Sequence, residues 1–304
     1  EPVDLVGYNY KEHLYEEDHR KFPDQPMVGS ENWHRYSDWR AAADNDYISG
    51  QFLWTGIDYL GETHGWPQHG SGAGLLTLAG FEKHAAYRRR SWWSDELMAY
   101  AVTRPYDPAA AREQHLWSHA AVSRLWEGDG EVEVLCYTNG EPRLTCGGEE
   151  IPLTRDDENG CWIAVTRPRE APLVLEARRG DAVVRDELRR RGDAVRIEAV
   201  VWQPPADAEQ RCTAVGPAFE GVVQVECTLR DGNGEVARDE RLVTATVTGG
   251  RLLGLENGDL GDSTPYTSNA RRTLEGRLIV FVWPNGPTVL RLGAPGLPEV
   301  ELAL

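Results

Sequence analysis

Two short apolar runs that each stop on a carboxylate are the feature that most limits what this chain can fold into. The first is Met27–Glu31, and the second, further along the chain, is Gly50–Glu62. A strand that is buried on both faces of a parallel sheet has a near-continuous apolar sequence. The helix-length segment between the runs is typical of a parallel β/α unit, which keeps functional side chains at the carboxyl ends of its strands. The pattern therefore predicts a β/α region with Glu31 at a strand end.

Three regions with different patterns of apolar and polar residues follow one another along the 304 residues. Residues 1–95 alternate strand-like and helix-like segments. From residue 96 onward, short alternating runs separated by turn residues predict two β-sandwich domains, one over 96–190 and one over 191–304. Within the last domain we expect a hairpin turn at Asp231–Gly234 and a further turn at Pro284–Pro287.

The charge balance disfavours polyanionic partners. The chain has 32 Lys and Arg against 49 Asp and Glu, which gives a net charge of −17. This excess opposes binding to nucleic acid and to anionic membrane surfaces. No apolar run approaches the ~18 residues of a membrane span, and the first residues do not have the pattern of a signal peptide. We therefore expect a soluble protein with a neutral partner, and its compartment, cytoplasmic or secreted, stays open.

Neither the cysteines nor the histidines have the spacing of a metal site. The five cysteines are odd in number and match no metal motif, so we interpret them as buried small side chains, with one disulfide left open. His64 and His69 flank Gly65–Gln68, but no third ligand is fixed near them. The sequence predicts no metal and no cofactor.

In chain order, the motifs resemble the carboxyl-terminal part of glycoside hydrolase family 2, in particular its β-galactosidase-like members. Asp4–Tyr10, Pro26–Glu31 and Gln51–Tyr59 are similar to the sixth, seventh and eighth strands of the family's barrel, and Gly74–Lys83 to the segment before its last helix. The resemblance implies that residues 1–95 are the last part of an incomplete (β/α)8 TIM barrel. It also implies that 96–190 and 191–304 are immunoglobulin-like β-sandwiches.

The resemblance further implies that Glu31 is the nucleophile of a retaining glycosidase. Such an enzyme needs a second, protonated carboxyl group roughly 5–5.5 Å from the nucleophile. In the family this acid/base glutamate follows the fourth barrel strand, which has no counterpart in this chain. We therefore expect the chain alone to be inactive, and the remainder of the barrel to come from the same or a second chain. An N-cap or surface carboxylate is the alternative interpretation of Glu31.

Five further residues are candidate substrate-binding groups. Trp54 is a candidate platform for a sugar ring, with barrel packing as its alternative. Tyr8 and Asn9 end the sixth strand, where a tyrosine hydroxyl can orient the nucleophile. Asp58 and Glu62 follow the eighth strand and are candidates for binding sugar hydroxyls, with ordinary loop hydrogen bonds as the alternative.

A neutral β-galactoside is the expected substrate. Gly70–Ala73 stands where β-glucuronidases of the family carry an Asn-x-Lys pair that holds the sugar carboxylate. The competing hypothesis is a non-catalytic carbohydrate-binding or assembly module with a barrel remnant. Few aromatic residues of the last domain could form a sugar platform, namely Trp202, Tyr266 and Trp283. The oligomeric state, including a homo-oligomer, stays open.

Overall fold

The computed structural model describes residues 3–63, 65–108, 121–202 and 221–304. The chain divides into two compact units. The first consists of Glu1–Leu60, Ser71–Thr77 and Glu82–Arg190. The second consists of Gly61–Gly70, Leu78–Phe81 and Arg191–Leu304. Within the described ranges, no helix is both long and apolar enough to cross a membrane.

The first unit begins with a three-stranded parallel sheet in the order β1-β2-β3. Its strands are β1 (Val6–Asn9), β2 (Met27–Asn32) and β3 (Ile48–Leu53). Parallel neighbours need a crossover connection, and helices α1 (Tyr15–Lys21) and α2 (Tyr36–Ala43) provide the two crossovers. The predicted β/α architecture is therefore present in these three strands. The buried core of this sheet is formed by Tyr8, Tyr15, Met27 and Ile48.

Short elements follow the parallel sheet in the sequence. The chain passes through β4 (Tyr59–Leu60) and β5 (Gly70–Ser71) to helix α3 (His84–Trp93). Trp92 on this helix packs against the Tyr36 ring at 4.9 Å, and its indole N–H donates to the Gly160 carbonyl at 2.9 Å. These contacts indicate that Trp92 has a packing role.

A β-sandwich completes the first unit. One sheet has the order β10-β11-β7-β6 and the other β13-β12-β8-β9. Inward-facing residues of both sheets form one core around the fully buried Trp126. The eight strands are β6 (Ala99–Pro105), β7 (Val132–Thr138), β8 (Glu141–Cys146), β9 (Glu149–Ile151), β10 (Thr154–Asp156), β11 (Cys161–Thr166), β12 (Leu173–Arg179) and β13 (Ala182–Leu188).

The second unit is built on one six-stranded sheet. Its order is β14-β15-β18-β16-β17, and β19 pairs with β18. The strands are β14 (Arg196–Val201), β15 (Val223–Arg230), β16 (Leu242–Glu256), β17 (Ala270–Arg272), β18 (Arg277–Gly293) and β19 (Val300–Ala303). Register shifts lie within the β16–β18 ladder, and such bulges bend a strand. Both halves of the two long strands therefore contribute to one core.

The two predicted turns in this unit have different outcomes. Asp231–Gly234 is a turn, in which the Asp231 carboxylate accepts hydrogen bonds from the backbone N–H groups of Asn233 and Glu235, both at 2.9 Å. The turn expected at Pro284–Pro287 does not reverse the chain, because β18 continues through this segment. Both flanking halves pair with the same strand, β16, so the prolines occupy a bulge and not a chain reversal.

Four of the five cysteines lie in the described residues, and all four are buried and free: Cys136, Cys146, Cys161 and Cys227. This agrees with the interpretation of these residues as small core side chains. Cys212 lies outside the described residues.

Candidate active site

Glu31 lies at the carboxyl end of the central strand of the parallel sheet. Its ladder partner in β1 is Asn9, and the next residue, Asn32, is paired with Leu53 of β3. The carboxyl ends of three neighbouring strands therefore meet around the half-buried Glu31 side chain. Parallel β/α enzymes have their catalytic groups at this edge of the sheet.

Each carboxylate oxygen of Glu31 accepts a hydrogen bond from a neutral donor. Asn9 Nδ2 donates to Oε1 at 2.8 Å, and the Tyr10 hydroxyl donates to Oε2 at 2.9 Å. Two donors on different oxygens hold the plane of the carboxylate. Neither donor is a cation, so the group is oriented without an ion pair. This arrangement suits a carboxylate that attacks an electrophilic carbon.

Tyr10, which the sequence pattern did not single out, supplies the tyrosine hydroxyl that we expected from Tyr8. The Tyr8 hydroxyl instead donates to Asp18 at 2.9 Å, and its ring packs edge-on against Tyr15 at 5.3 Å. The ladder register shifts between Tyr8 and Asn9, and Tyr10 has a left-handed backbone with φ of 53°. These two departures break the alternation of the strand and turn the second tyrosine toward Glu31.

The surroundings of Tyr10 keep its hydroxyl a donor. Burial and the hydrogen bond to Glu31 raise the pKa of Tyr10 far above its ordinary value of 10.0. Its backbone N–H donates to the Glu31 carbonyl at 2.8 Å, and its ring lies 4.3 Å from the Trp33 ring. The backbone contact and the ring contact together hold the left-handed residue in place, so the hydroxyl is aimed at one carboxylate oxygen.

Trp54 follows β3 and is attached directly to the strand that carries Glu31. Its backbone N–H donates to the Asn32 carbonyl at 3.2 Å. Its indole N–H donates to the Tyr59 hydroxyl at 3.1 Å, and the two rings lie edge to face at 5.5 Å. The indole is half-buried, so part of its surface stays open to a ligand while its edge is fixed by Tyr59.

His34, the second residue after β2, is a buried neutral residue. Burial lowers the pKa of His34 from 6.5 to about 4, while the backbone groups of Ala73 and Trp54 act in the opposite direction. A neutral imidazole can therefore connect the segment after β2 with the segment after β3. No sequence signal marks His34, because the apolar run of β2 has already ended at Glu31.

Asn32, the residue after Glu31, points into the interior of the sheet and is fully buried. Its Nδ2 donates to Glu12 Oε1 at 2.6 Å and to the Tyr15 hydroxyl at 3.2 Å. Adjacent side chains of a strand point to opposite faces, so anchoring Asn32 inside directs Glu31 outward. The 3-10 turn Glu12–Leu14 and helix α1 supply these two acceptors.

The structure corrects the expectation that Asp58 is open to a sugar. Its side chain is buried and accepts hydrogen bonds from Lys83 Nζ at 2.5 Å and from the Gly74 N–H at 2.9 Å. Burial raises the pKa of Asp58, while Lys83 and Gly74 act in the opposite direction. Asp58 therefore fastens the loop after β3 to the start of α3.

Glu62 is exposed and has a left-handed backbone with φ of 49°. It belongs to the second compact unit, unlike Glu31, and its predicted role in sugar binding stays a prediction. Among the described residues, no group of three His, Cys, Asp or Glu side chains is arranged to hold a metal ion. Of the two histidines that the sequence analysis considered, His64 lies outside the described residues.

Comparison with known proteins confirms the resemblance to a carboxyl-terminal portion of glycoside hydrolase family 2. Residues 209–303 match the family model described as glycoside hydrolase family 2 C-terminal domain 5. Over 254 residues the chain is 28% identical to beta-galactosidase BoGH2A of Bacteroides ovatus, a match that covers 80% of this chain and 26% of the relative. Over 135 residues it is 28% identical to a putative beta-glucuronidase of Formosa agariphila, covering 41% of this chain and 12% of the relative. The chain thus spans about a quarter of the first relative.

Solved structures show that the fold is shared over the whole chain. A glycosyl hydrolase family 2 member from Bacteroides cellulosilyticus superposes with a TM-score of 0.85 at 21% identity, covering 100% of this chain and 42% of the other. A beta-glycosidase from Bacteroides vulgatus superposes with a TM-score of 0.76 at 17% identity, covering 100% of this chain and 45% of the other. The arrangement of elements described above is therefore the arrangement found in part of these enzymes.

Proposed function

We propose that this chain is the carboxyl-terminal part of a retaining, β-galactosidase-like glycoside hydrolase that uses Glu31 as its nucleophile. The observation that carries the proposal is the Glu31 carboxylate at the carboxyl ends of the parallel strands, with one oxygen held by Asn9 and the other by Tyr10. The similarity to a beta-galactosidase from Bacteroides ovatus supports this reaction class.

The proposed reaction has two displacements at the anomeric carbon. A Glu31 oxygen attacks this carbon and forms a glycosyl ester, while the bond to the leaving oxygen breaks and that oxygen takes a proton from the acid/base carboxyl group. Water then gives its proton to the same group and attacks the ester, which releases the sugar with its original configuration and restores Glu31. The acid/base glutamate lies outside this chain, as the resemblance implies.

The three parallel strands are proposed to be the last three of a (β/α)8 barrel. Strands β1 and β3 are the two edges of this sheet, and an open edge leaves backbone groups unpaired. Leu5 before β1 and Phe52 in β3 are large apolar side chains exposed by 50% and 66%. The remainder of the barrel, in the same or a second chain, would pair these edges and cover this surface.

A neutral β-galactoside is the proposed substrate. Recognition of a uronate requires a cation beside the sugar carboxylate. Lys83 follows the segment that replaces the Asn-x-Lys pair, but its ammonium group is held by Asp58 at 2.5 Å and by the Gly72 carbonyl at 3.0 Å. Trp54, with its half-buried indole, is proposed to stack on the sugar ring.

The test is made on the complete protein that contains this chain, with 4-nitrophenyl β-galactoside and the matching glucuronide. We expect Glu31→Gln to lower kcat by about 1000-fold or more, because the amide cannot form the glycosyl ester. Glu17→Gln is the matched control, since Glu17 lies on the surface of α1 and should leave kcat unchanged. Faster turnover of the glucuronide than of the galactoside would contradict the proposed substrate.

A second variant separates a nucleophile from a merely structural glutamate. Glu31→Ala opens space for a small anion, and added azide can then attack the anomeric carbon in place of the missing carboxylate. We expect azide to restore turnover of the nitrophenyl galactoside and to give the α-glycosyl azide, with inverted configuration. Failure of rescue in a folded variant, together with near-normal activity of Glu31→Gln, would remove Glu31 as the nucleophile.

A further inference from the structure

The segment Gly61–Gly70 belongs to the second compact unit, although it precedes the main part of that unit, Arg191–Leu304, by more than a hundred residues in the sequence. The His69 N–H donates to the Leu260 carbonyl at 3.0 Å, and the Gly61 N–H donates to the His69 carbonyl at 3.0 Å. The segment is thus closed at its base and anchored to the loop after β16. Trp66 is therefore part of the second unit, although it lies outside the range Arg191–Leu304 that forms most of that unit.

Trp66 and Tyr266 are both exposed on this unit, by 77% and 45%, and His69 connects them. The His69 ring lies 6.4 Å from the Trp66 ring. His69 Nδ1 donates to the Pro67 carbonyl at 3.1 Å, and in the neutral ring Nε2 then accepts from the Tyr266 hydroxyl at 3.4 Å. Two aromatic rings from distant parts of the sequence are thus held at one surface by a shared imidazole.

The Tyr266 ring rests on a buried support. The Arg271 guanidinium lies 5.0 Å from the Tyr266 ring centroid and is itself almost fully buried. Its charge is balanced by Glu256 at 3.4 Å and Asp262 at 3.6 Å, and it also donates to the Thr264 carbonyl. A buried, paired arginine under the inner face fixes the ring, and the outer face remains exposed.

The backbone behind Tyr266 is fixed as well. The Leu255 N–H donates to the Tyr266 carbonyl at 3.2 Å. A Cβ on Gly254 would lie 2.2 Å from the Tyr266 carbonyl oxygen, a distance that no side chain tolerates. The loop therefore packs against β16 at a glycine, and the position of the ring does not depend on the exposed loop alone.

Exposed carboxylates in the two segments that carry these rings favour a neutral ligand. Asp259 precedes the anchoring residue Leu260 and is exposed, and Glu62 is exposed in the same segment as Trp66. Carboxylates repel uronates, sulfated glycans and nucleic acids. Aromatic faces flanked by hydrogen-bonding groups suit the apolar faces and hydroxyls of neutral sugars.

We propose that Trp66, His69 and Tyr266, all in the second compact unit, form a binding platform for a neutral oligosaccharide. Trp66 and Tyr266 stack on sugar faces, and His69 sets the spacing between the two rings. The aromatic residues of the last domain alone indicated no such platform, because Trp66 comes from a different part of the sequence. The platform does not depend on the proposed glycosidase activity, since it requires binding only.

Affinity electrophoresis tests the platform. The complete protein, carrying Glu31→Gln to prevent turnover, is run in gels that contain a neutral β-1,4-galactan, with free galactose added throughout so that a single-sugar pocket stays occupied. We expect Trp66→Ala and Tyr266→Ala each to weaken the apparent affinity about fivefold to tenfold, which is the size of one aromatic stacking contact. Tyr266→Phe keeps the ring and should bind more tightly than Tyr266→Ala.

Trp283→Ala is the matched control, because Trp283 is 46% exposed on the same unit and should leave retardation unchanged. Polygalacturonan in place of galactan should retard the protein less, because of its charge. The platform is refuted if Trp66→Ala binds galactan as well as the parent, or if Trp283→Ala loses as much affinity. Equal retardation by polygalacturonan would also overturn the assignment of a neutral ligand.

Discussion

Replacing Tyr10 by phenylalanine removes one of the two hydrogen bonds to Glu31 and leaves the ring contact with Trp33 in place. Two effects on the proposed reaction then oppose each other. The lost donor no longer stabilises the carboxylate before it attacks, which favours the attack. The carboxylate is also held at one oxygen only, by Asn9 at 2.8 Å, so it can rotate away from the line of attack.

The magnitudes decide that the loss of orientation dominates. A hydrogen bond to a charged group contributes about 1.5–3 kcal/mol, but Glu31 is only half-buried, and water can replace most of this stabilisation. A displacement of about 1 Å in a reacting group can cost about 100-fold in rate. We therefore expect Tyr10→Phe to lower kcat by about 10- to 100-fold, with little change in KM.

The assay compares Tyr10→Phe with Tyr8→Phe in the complete protein, using steady-state hydrolysis of 4-nitrophenyl β-galactoside. The two tyrosines are separated by a single residue, yet the Tyr8 hydroxyl donates to Asp18 and not to Glu31. Tyr8→Phe should keep kcat and lower the free energy of unfolding by about 1 kcal/mol, the size of a typical hydrogen bond. The reasoning fails if the two variants have the same kcat, or if Tyr10→Phe keeps more than half of the parent kcat.

Two further predictions concern the buried groups around the site, and both are measured by urea unfolding. The first is that stability falls by about 3 kcal/mol between pH 6.5 and pH 4, because His34 has its pKa lowered from 6.5 to about 4 and the unfolded state binds the proton first. His34→Gln should flatten this pH dependence, and an unchanged slope would exclude His34 as its source. The second is that Lys83→Met destabilises by about 3–5 kcal/mol, because the buried Asp58 carboxylate loses its partner. Adding Asp58→Asn should recover most of that loss, and additive losses in the double variant would contradict the pairing.

The sequence predicted the site as far as local pattern reaches. An apolar run that ends on an acid was enough to place Glu31 at the end of β2, and the order of the runs was enough to predict parallel strands. The partners of Glu31 lie elsewhere in the chain and depend on exact register. Tyr8 lies in β1 and Tyr10 follows it two positions later, so alternation alone would place both hydroxyls on one face. The ladder shift after Tyr8 and the left-handed backbone of Tyr10 separate them.

Contacts between distant residues account for the remaining differences. The sequence pattern predicted Asp58 as an exposed carboxylate at the rim of the site. Its partner, Lys83, is 25 positions away in the sequence, so the local pattern does not reveal the pairing. From its position in the sequence, Trp66 was assigned to the barrel region, residues 1–95. The backbone hydrogen bond from the His69 N–H to the Leu260 carbonyl instead joins its loop to the second unit. Pro284–Pro287 reads as a turn because prolines and Asn-Gly favour chain reversal, and only the shared pairing with β16 reveals a bulge.

The irregular end of the parallel ladder explains how one strand can serve both the interior and the site. The β2–β3 register shifts between Gly29 and Asn32, and Asn32 is buried on the same side as Gly29, where regular alternation from Met27 and Gly29 would place Glu31. Asn32 turns inward, and a Cβ on Gly29 would meet its Oδ1 at 2.1 Å and the Tyr15 hydroxyl at 2.7 Å. A glycine at position 29 is therefore required for the buried amide, and the buried amide is required to direct Glu31 outward. Gly29, the small residue within the apolar run, therefore helps to place the Glu31 carboxylate where it can take part in the proposed reaction.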